Sequence, residues 1–166
     1  MKKTLSLLLL LIITSFSCEK DDICDASTLT TPRIVIEFYD FSNPSVLKNV
    51  TNLSIIGEGM TEALVKKSNA NTISIPLKTT ENSTSYRFVL NEETAFGNED
   101  VIKFDYTHEN LYVSRACGFK TVFALNATNP LTLSDVAIAD GLWIKQIVLN
   151  SADIENEKKT HVKIYF

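Results

Sequence analysis

From Pro32 onward, apolar side chains recur at every second position, which fits the two-residue repeat of a β-strand and not the 3.6-residue turn of a helix. Arg33-Ile34-Val35-Ile36-Glu37-Phe38-Tyr39-Asp40 sets Ile34, Ile36 and Phe38 on one face. Residues 50–56 form a second expected strand, ended by the turn Gly57-Glu58-Gly59. Residues 72–77 align Ile73, Ile75 and Leu77; Pro76 lacks a ladder donor, so this strand belongs at a sheet edge or ends there. Glu81-Asn82-Ser83 reads as a turn into residues 85–90, where Tyr86, Phe88 and Leu90 align. Residues 101–107 put Ile102, Phe104 and Tyr106 on one side, and His108-Glu109-Asn110 reads as a turn into residues 111–116. Residues 119–125 place Phe119, Phe123 and Leu125 together. Residues 142–149 are apolar enough for cover on both sides, and 160–166 alternate Val162, Ile164 and Phe166 against His161, Lys163 and Tyr165.

That gives about seven to nine strands with a turn signal roughly every ten residues, a spacing typical of antiparallel sandwiches rather than βαβ folds. The expected fold is all-β, an antiparallel β-sandwich of immunoglobulin-like or transthyretin-like type. Short helical pieces fit at 60–67 and 134–139, neither long enough to build a layer. The 166 residues suit one domain with an appendage. A chain of this size buries about two-thirds of its unfolded surface, so the core requires no cofactor. With 16 basic and 20 acidic side chains and a net charge of -4, there is no footprint for nucleic acid.

The N-terminus is an address. Met1-Lys2-Lys3 is positive, Leu5 to Ile13 is apolar, and Thr14-Ser15-Phe16-Ser17 brings small and polar residues up to Cys18. This is the layout of a cleaved secretory signal, since a membrane-spanning helix needs roughly 20 apolar residues. Ser17-Cys18 resembles the lipobox of bacterial lipoproteins, although Ser15 stands where that pattern prefers an aliphatic residue. The resemblance implies a thiol carrying diacylglycerol, cleavage just before Cys18, and an amine acylated by a fatty acid such as palmitate. The competing reading is an ordinary secreted protein that keeps Cys18 as a thiol. Glu19-Lys20-Asp21-Asp22 is similar to an export signal that sends certain outer-membrane lipoproteins to the cell surface; the alternatives are the periplasmic face and a plain solvated linker. The expected layout is a signal peptide over 1–17, a lipidated N-terminus and acidic tether over 18–31, and one domain over 32–166.

Once Cys18 is acylated, Cys24 and Cys117 remain in an oxidising compartment, where two thiols allow one intramolecular pairing. A Cys24–Cys117 disulfide is expected, against the alternative of two buried free thiols. It would leave Glu19 to Ile23 as tether, a reach of at most about 17 Å.

Chemistry-bearing motifs are scarce. The sequence contains no G-x-S-x-G, H-E-x-x-H, G-x-x-x-x-G-K-[ST] or G-x-G-x-x-G. His108, in an expected turn, and His161, at an outward strand position, read as surface histidines. Two acidic groups, Glu92-Glu93 with Glu99-Asp100 and Asp153-Glu155-Glu157, offer oxygen atoms of the kind calcium takes, without the fixed glycine of the regular loop. No catalytic residue and no metal ligand is assigned. Tyr39, Tyr112, Trp143 and Tyr165 fall out of phase with the apolar positions, which suits a glycan or protein contact or packing at a sheet rim. The sequons at Asn49, Asn52, Asn82 and Asn126 are turn composition behind a lipobox.

Taken together, Cys18-Glu19-Lys20-Asp21-Asp22, the two later cysteines and the β-rich body resemble small outer-membrane lipoprotein families of unknown function. The resemblance covers the layout of the whole chain, is specific at the N-terminus, and implies no activity. The expected role is non-enzymatic: membrane attachment through lipid, with an envelope protein or glycan as partner. The alternative is a hydrolase of envelope polymers or glycans working through loop carboxylates.

Overall fold

The computed structural model describes residues 23–28, 30–92, 94, 97–136 and 141–166. Eleven strands run along them: β1 (Ile34–Tyr39), β2 (Val50–Gly57), β3 (Ala63–Ala70), β4 (Thr72–Ile75), β5 (Ser83–Leu90), β6 (Asn98–Ser114), β7 (Gly118–Leu125), β8 (Leu131–Asp135), β9 (Gln146–Leu149), β10 (Asp153–Ile154) and β11 (Val162–Tyr165). They form a four-stranded sheet, β4-β1-β11-β9, and a seven-stranded sheet, β10-β7-β6-β5-β2-β3, in which β8 also pairs with β6. The β1–β11 pair is parallel, with Ile36 beside Val162 and Phe38 beside Ile164, and the other registered pairs are antiparallel. The fold is an all-β sandwich.

The period-two faces meet in one core. Ile34, Ile36, Phe38, Val162 and Ile164 of the smaller sheet pack with Leu53, Ile55, Phe88, Ile102 and Phe104 of the larger. Ring pairs Tyr86–Phe104 and Tyr106–Phe123 lie edge to face at 6.3 and 5.3 Å, the arrangement that aromatic quadrupoles favour. Tyr106 combines apolar burial with a satisfied hydroxyl, which bonds to Thr84 Oγ1 at 2.7 Å and donates to Lys78 O at 2.8 Å. β4 ends one residue before Pro76 and lies at the edge of its sheet, as its sequence requires.

Several expected elements differ. The helical piece expected over 60–67 is a turn leading into β3, which pairs with β2 through register shifts that absorb the polar run Lys66-Lys67-Ser68. Of the helical piece expected over 134–139, Ser134 and Asp135 belong to β8, beside Val101 and Asp100; 137–139 lie outside the described residues. His108-Glu109-Asn110 is not a turn but the interior of the 17-residue β6. The polar side chain of Asn110 is accommodated there because its Oδ1 accepts a hydrogen bond from the Thr121 hydroxyl at 2.7 Å. The expected strand over 142–149 shrinks to β9. Its first half is held instead by side-chain bonds: Trp143 Nε1 donates to Phe88 O at 3.0 Å, and Ile144 N donates to buried Asp100 Oδ2 at 2.7 Å.

The described residues divide into two compact units, 23–28 with 112–119, and 30–111 with 120–166. Both sheets' core residues belong to the second.

Candidate functional site

The smaller unit is built around a turn. β6 ends at Ser114, whose Oγ accepts the Cys117 amide proton at 3.0 Å, and β7 begins at Gly118 with φ 68°, a left-handed conformation that glycine adopts without penalty. Cys117 is bonded to Cys24, 93 positions away in sequence, with Cα atoms 4.9 Å apart. The pairing expected from the cysteine count is therefore present. Tyr112 and Phe119 bracket the turn, their rings 5.4 Å apart and edge to face. Both are largely in water, 62% and 68% exposed, and Ile23, next to Cys24, is 80% exposed.

This corrects the expectation that Phe119 joins the core face with Phe123 and Leu125. The residue between them on that face, Thr121, is buried, whereas Phe119 is mostly exposed. Strand phase sets the direction of a side chain, and cover is a separate matter.

The larger unit carries a groove of about 460 Å³ lined by Thr107, His108, Glu109, Phe123, Asp153 and Glu155, among others. β6 supplies His108 and Glu109, and β10 with the residue after it supplies Asp153 and Glu155. Part of the second acidic group thus gathers beside a histidine, whereas its third member, Glu157, turns aside and accepts the Arg33 amide proton on Oε1 at 3.1 Å. His108 Nδ1 is shielded from water and has no hydrogen-bond partner among the described residues. Glu109, Asp153 and Glu155 are exposed. No three His, Cys, Asp or Glu side chains among the described residues are placed to hold a metal ion.

The first acidic group is dispersed. Glu92 accepts from the Ser54 hydroxyl at 2.6 Å, Glu99 pairs with Arg87 at 3.1 Å, and Asp100 is buried within β6 under Ile144; Glu93 lies outside the described residues. These side chains serve the sheet, not a common ligand.

His161 is not at the surface. It is fully buried; Nδ1 accepts the Val35 amide proton at 2.9 Å, and burial lowers its pKa to about 4, with Lys159 acting in the same direction and Glu157 against it. Of the out-of-phase aromatics, Trp143 is buried against Phe166, and Tyr39 stacks on Tyr165 at 5.5 Å. The Tyr39 hydroxyl donates to Glu37 at 2.7 Å, and that bond, aided by burial and charge, raises its pKa to about 12. Packing accounts for these three, and Tyr112 alone of the four is exposed. Cys18, Glu19, Lys20, Asp21 and Asp22 lie outside the described residues.

A protein-family model matches residues 52–166. The chain belongs to DUF6452, a family of unknown function. The DUF6452 match includes Cys117, both aromatics of the turn and every groove residue named above. No curated protein and no solved structure matches the chain.

Proposed function

We propose that this DUF6452 protein is a lipoprotein of the bacterial outer membrane, acylated on Cys18, exposed at the cell surface, with a non-enzymatic binding or structural role toward an envelope protein or a glycan. The Cys24–Cys117 disulfide carries the reading, because such bonds persist in compartments reached by export. A signal-like segment ending at Cys18 supplies the route, and two or three acyl chains supply durable attachment at about 0.8 kcal/mol per buried methylene.

Metabolic labelling with a fatty-acid probe tests the anchor: Cys18→Ala abolishes the label and releases the protein from membranes. Label that survives this change overturns the anchor. Protease shaving of intact cells removes the chain if it faces outward; full protection assigns it to the periplasmic face. Pull-down from envelope membranes and a glycan array test the binding role, which fails if neither yields a ligand.

A second reading, hydrolysis of envelope polymers, has one observation in its favour: Glu109, Asp153 and Glu155 line one groove beside His108. A general acid is made by withdrawing a carboxyl from water, and these three face it. Release of sugars from isolated envelope that disappears in Asp153→Asn or Glu109→Gln would establish it in place of the first.

A further inference from the structure

We infer that Tyr112, Phe119 and Ile23 form a contact with the bilayer surface, the two rings and the aliphatic chain entering the zone between lipid headgroups and acyl chains. The inference rests on the anchor proposed above and extends it from one attachment point to two.

Three observations converge on a lipid occupant. The first is exposure: Tyr112, Phe119 and Ile23 lie mostly in water, within one compact unit that holds the disulfide. The edge-to-face ring pair is a preassembled apolar surface, so presenting it costs little additional side-chain order. The second is residue type. A phenol and a phenyl ring side by side give an apolar body with one polar tip, the composition that collects at membrane–water boundaries.

The third is covalent distance. Cys18 and Cys24 are six positions apart, a reach of at most about 21 Å. The headgroup layer of one leaflet takes about 6 Å of that. Cys24 is joined to Cys117, and Phe119 follows two positions later. An acyl chain on residue 18 therefore holds these rings within a short radius of the membrane. At such effective concentration, a surface contact too weak to recruit a free protein is nonetheless populated.

The acylated full chain in phosphatidylcholine vesicles provides the test. Phe119→Trp introduces an indole at the turn; the parent's one tryptophan, Trp143, is buried and serves as internal control. With lipids brominated along the acyl chain, the Phe119→Trp chain is expected to show a blue-shifted emission that is lost to quenching, while the parent emission is unchanged. Adding Tyr112→Ser is expected to reduce the quenching. Mass measurement of residue 18 reads the anchor separately. An acylated chain with no quenching beyond the parent overturns the bilayer contact and leaves the anchor intact. An unacylated chain that is still quenched supports the contact and removes the anchor. A blue shift of equal size in vesicles without bromine, unquenched with it and accompanied by a dimer in sedimentation, assigns the rings to a second copy and also overturns the contact.

Discussion

Val35 and His161 bond to each other twice: the Val35 amide donates to His161 Nδ1 at 2.9 Å, and the His161 amide donates to Val35 O at 2.9 Å. The imidazole thus acts as a backbone acceptor beside the parallel β1–β11 ladder, a role it fills only while Nδ1 is unprotonated.

Acid should weaken the fold through this residue. Its pKa is about 4 in the folded chain against an ordinary 6.5, so between those values the unfolded chain binds more protons. Stability contributed by neutral His161 is complete above about pH 6.5 and falls as pH drops toward 4, by up to about 3 kcal/mol. His161→Asn keeps an acceptor for Val35 and removes the titration. Its denaturation midpoint should lose most of the parent's slope between those pH values; an unchanged slope would assign the effect elsewhere.

The Cys24–Cys117 bridge closes a loop of about 90 residues, for which chain entropy predicts roughly 4–5 kcal/mol of stabilisation. Cys24→Ser with Cys117→Ser, or reduction of the parent, should lower the urea midpoint accordingly. Equal midpoints with and without reductant would show that the bridge constrains nothing the unfolded chain explores.

Gly118→Ala isolates backbone conformation. A methyl group at Gly118 meets no atom within 4 Å, yet φ is 68°. The expected cost is about 1 kcal/mol, from left-handed backbone strain alone. A neutral result by thermal unfolding would mean that the turn relaxes.

Asp100→Ala removes the carboxylate that accepts the Ile144 amide proton inside the protein. Loss of this buried acceptor, which leaves the Ile144 amide unpaired, predicts about 1–3 kcal/mol of destabilisation. Amide exchange at Ile144 should accelerate more than at Ile36, and uniform acceleration would contradict a local tether.

Where alternation was unbroken, the strands were legible: Ile34, Ile36 and Phe38 in β1, and Tyr86 and Phe88 in β5, face the core as their spacing requires. Polar runs misled. Lys66-Lys67-Ser68 and His108-Glu109-Asn110 have poor strand character, and cross-strand pairing in β3 and β6 overrides it. The groove was half legible. Asp153 and Glu155 stood together in sequence, but His108 and Glu109 reach them only because β6, β7 and β10 are neighbours in one sheet.

The sequence alone determined that the chain is all-β, because period and composition are local or additive properties. Tertiary structure decided which outward-facing residues are covered. His161 is sealed by a bond to Val35, 126 positions away, while Phe119 is left in water. The pleat of a strand fixes the direction of each side chain; what meets it there depends on segments brought in from elsewhere in the chain.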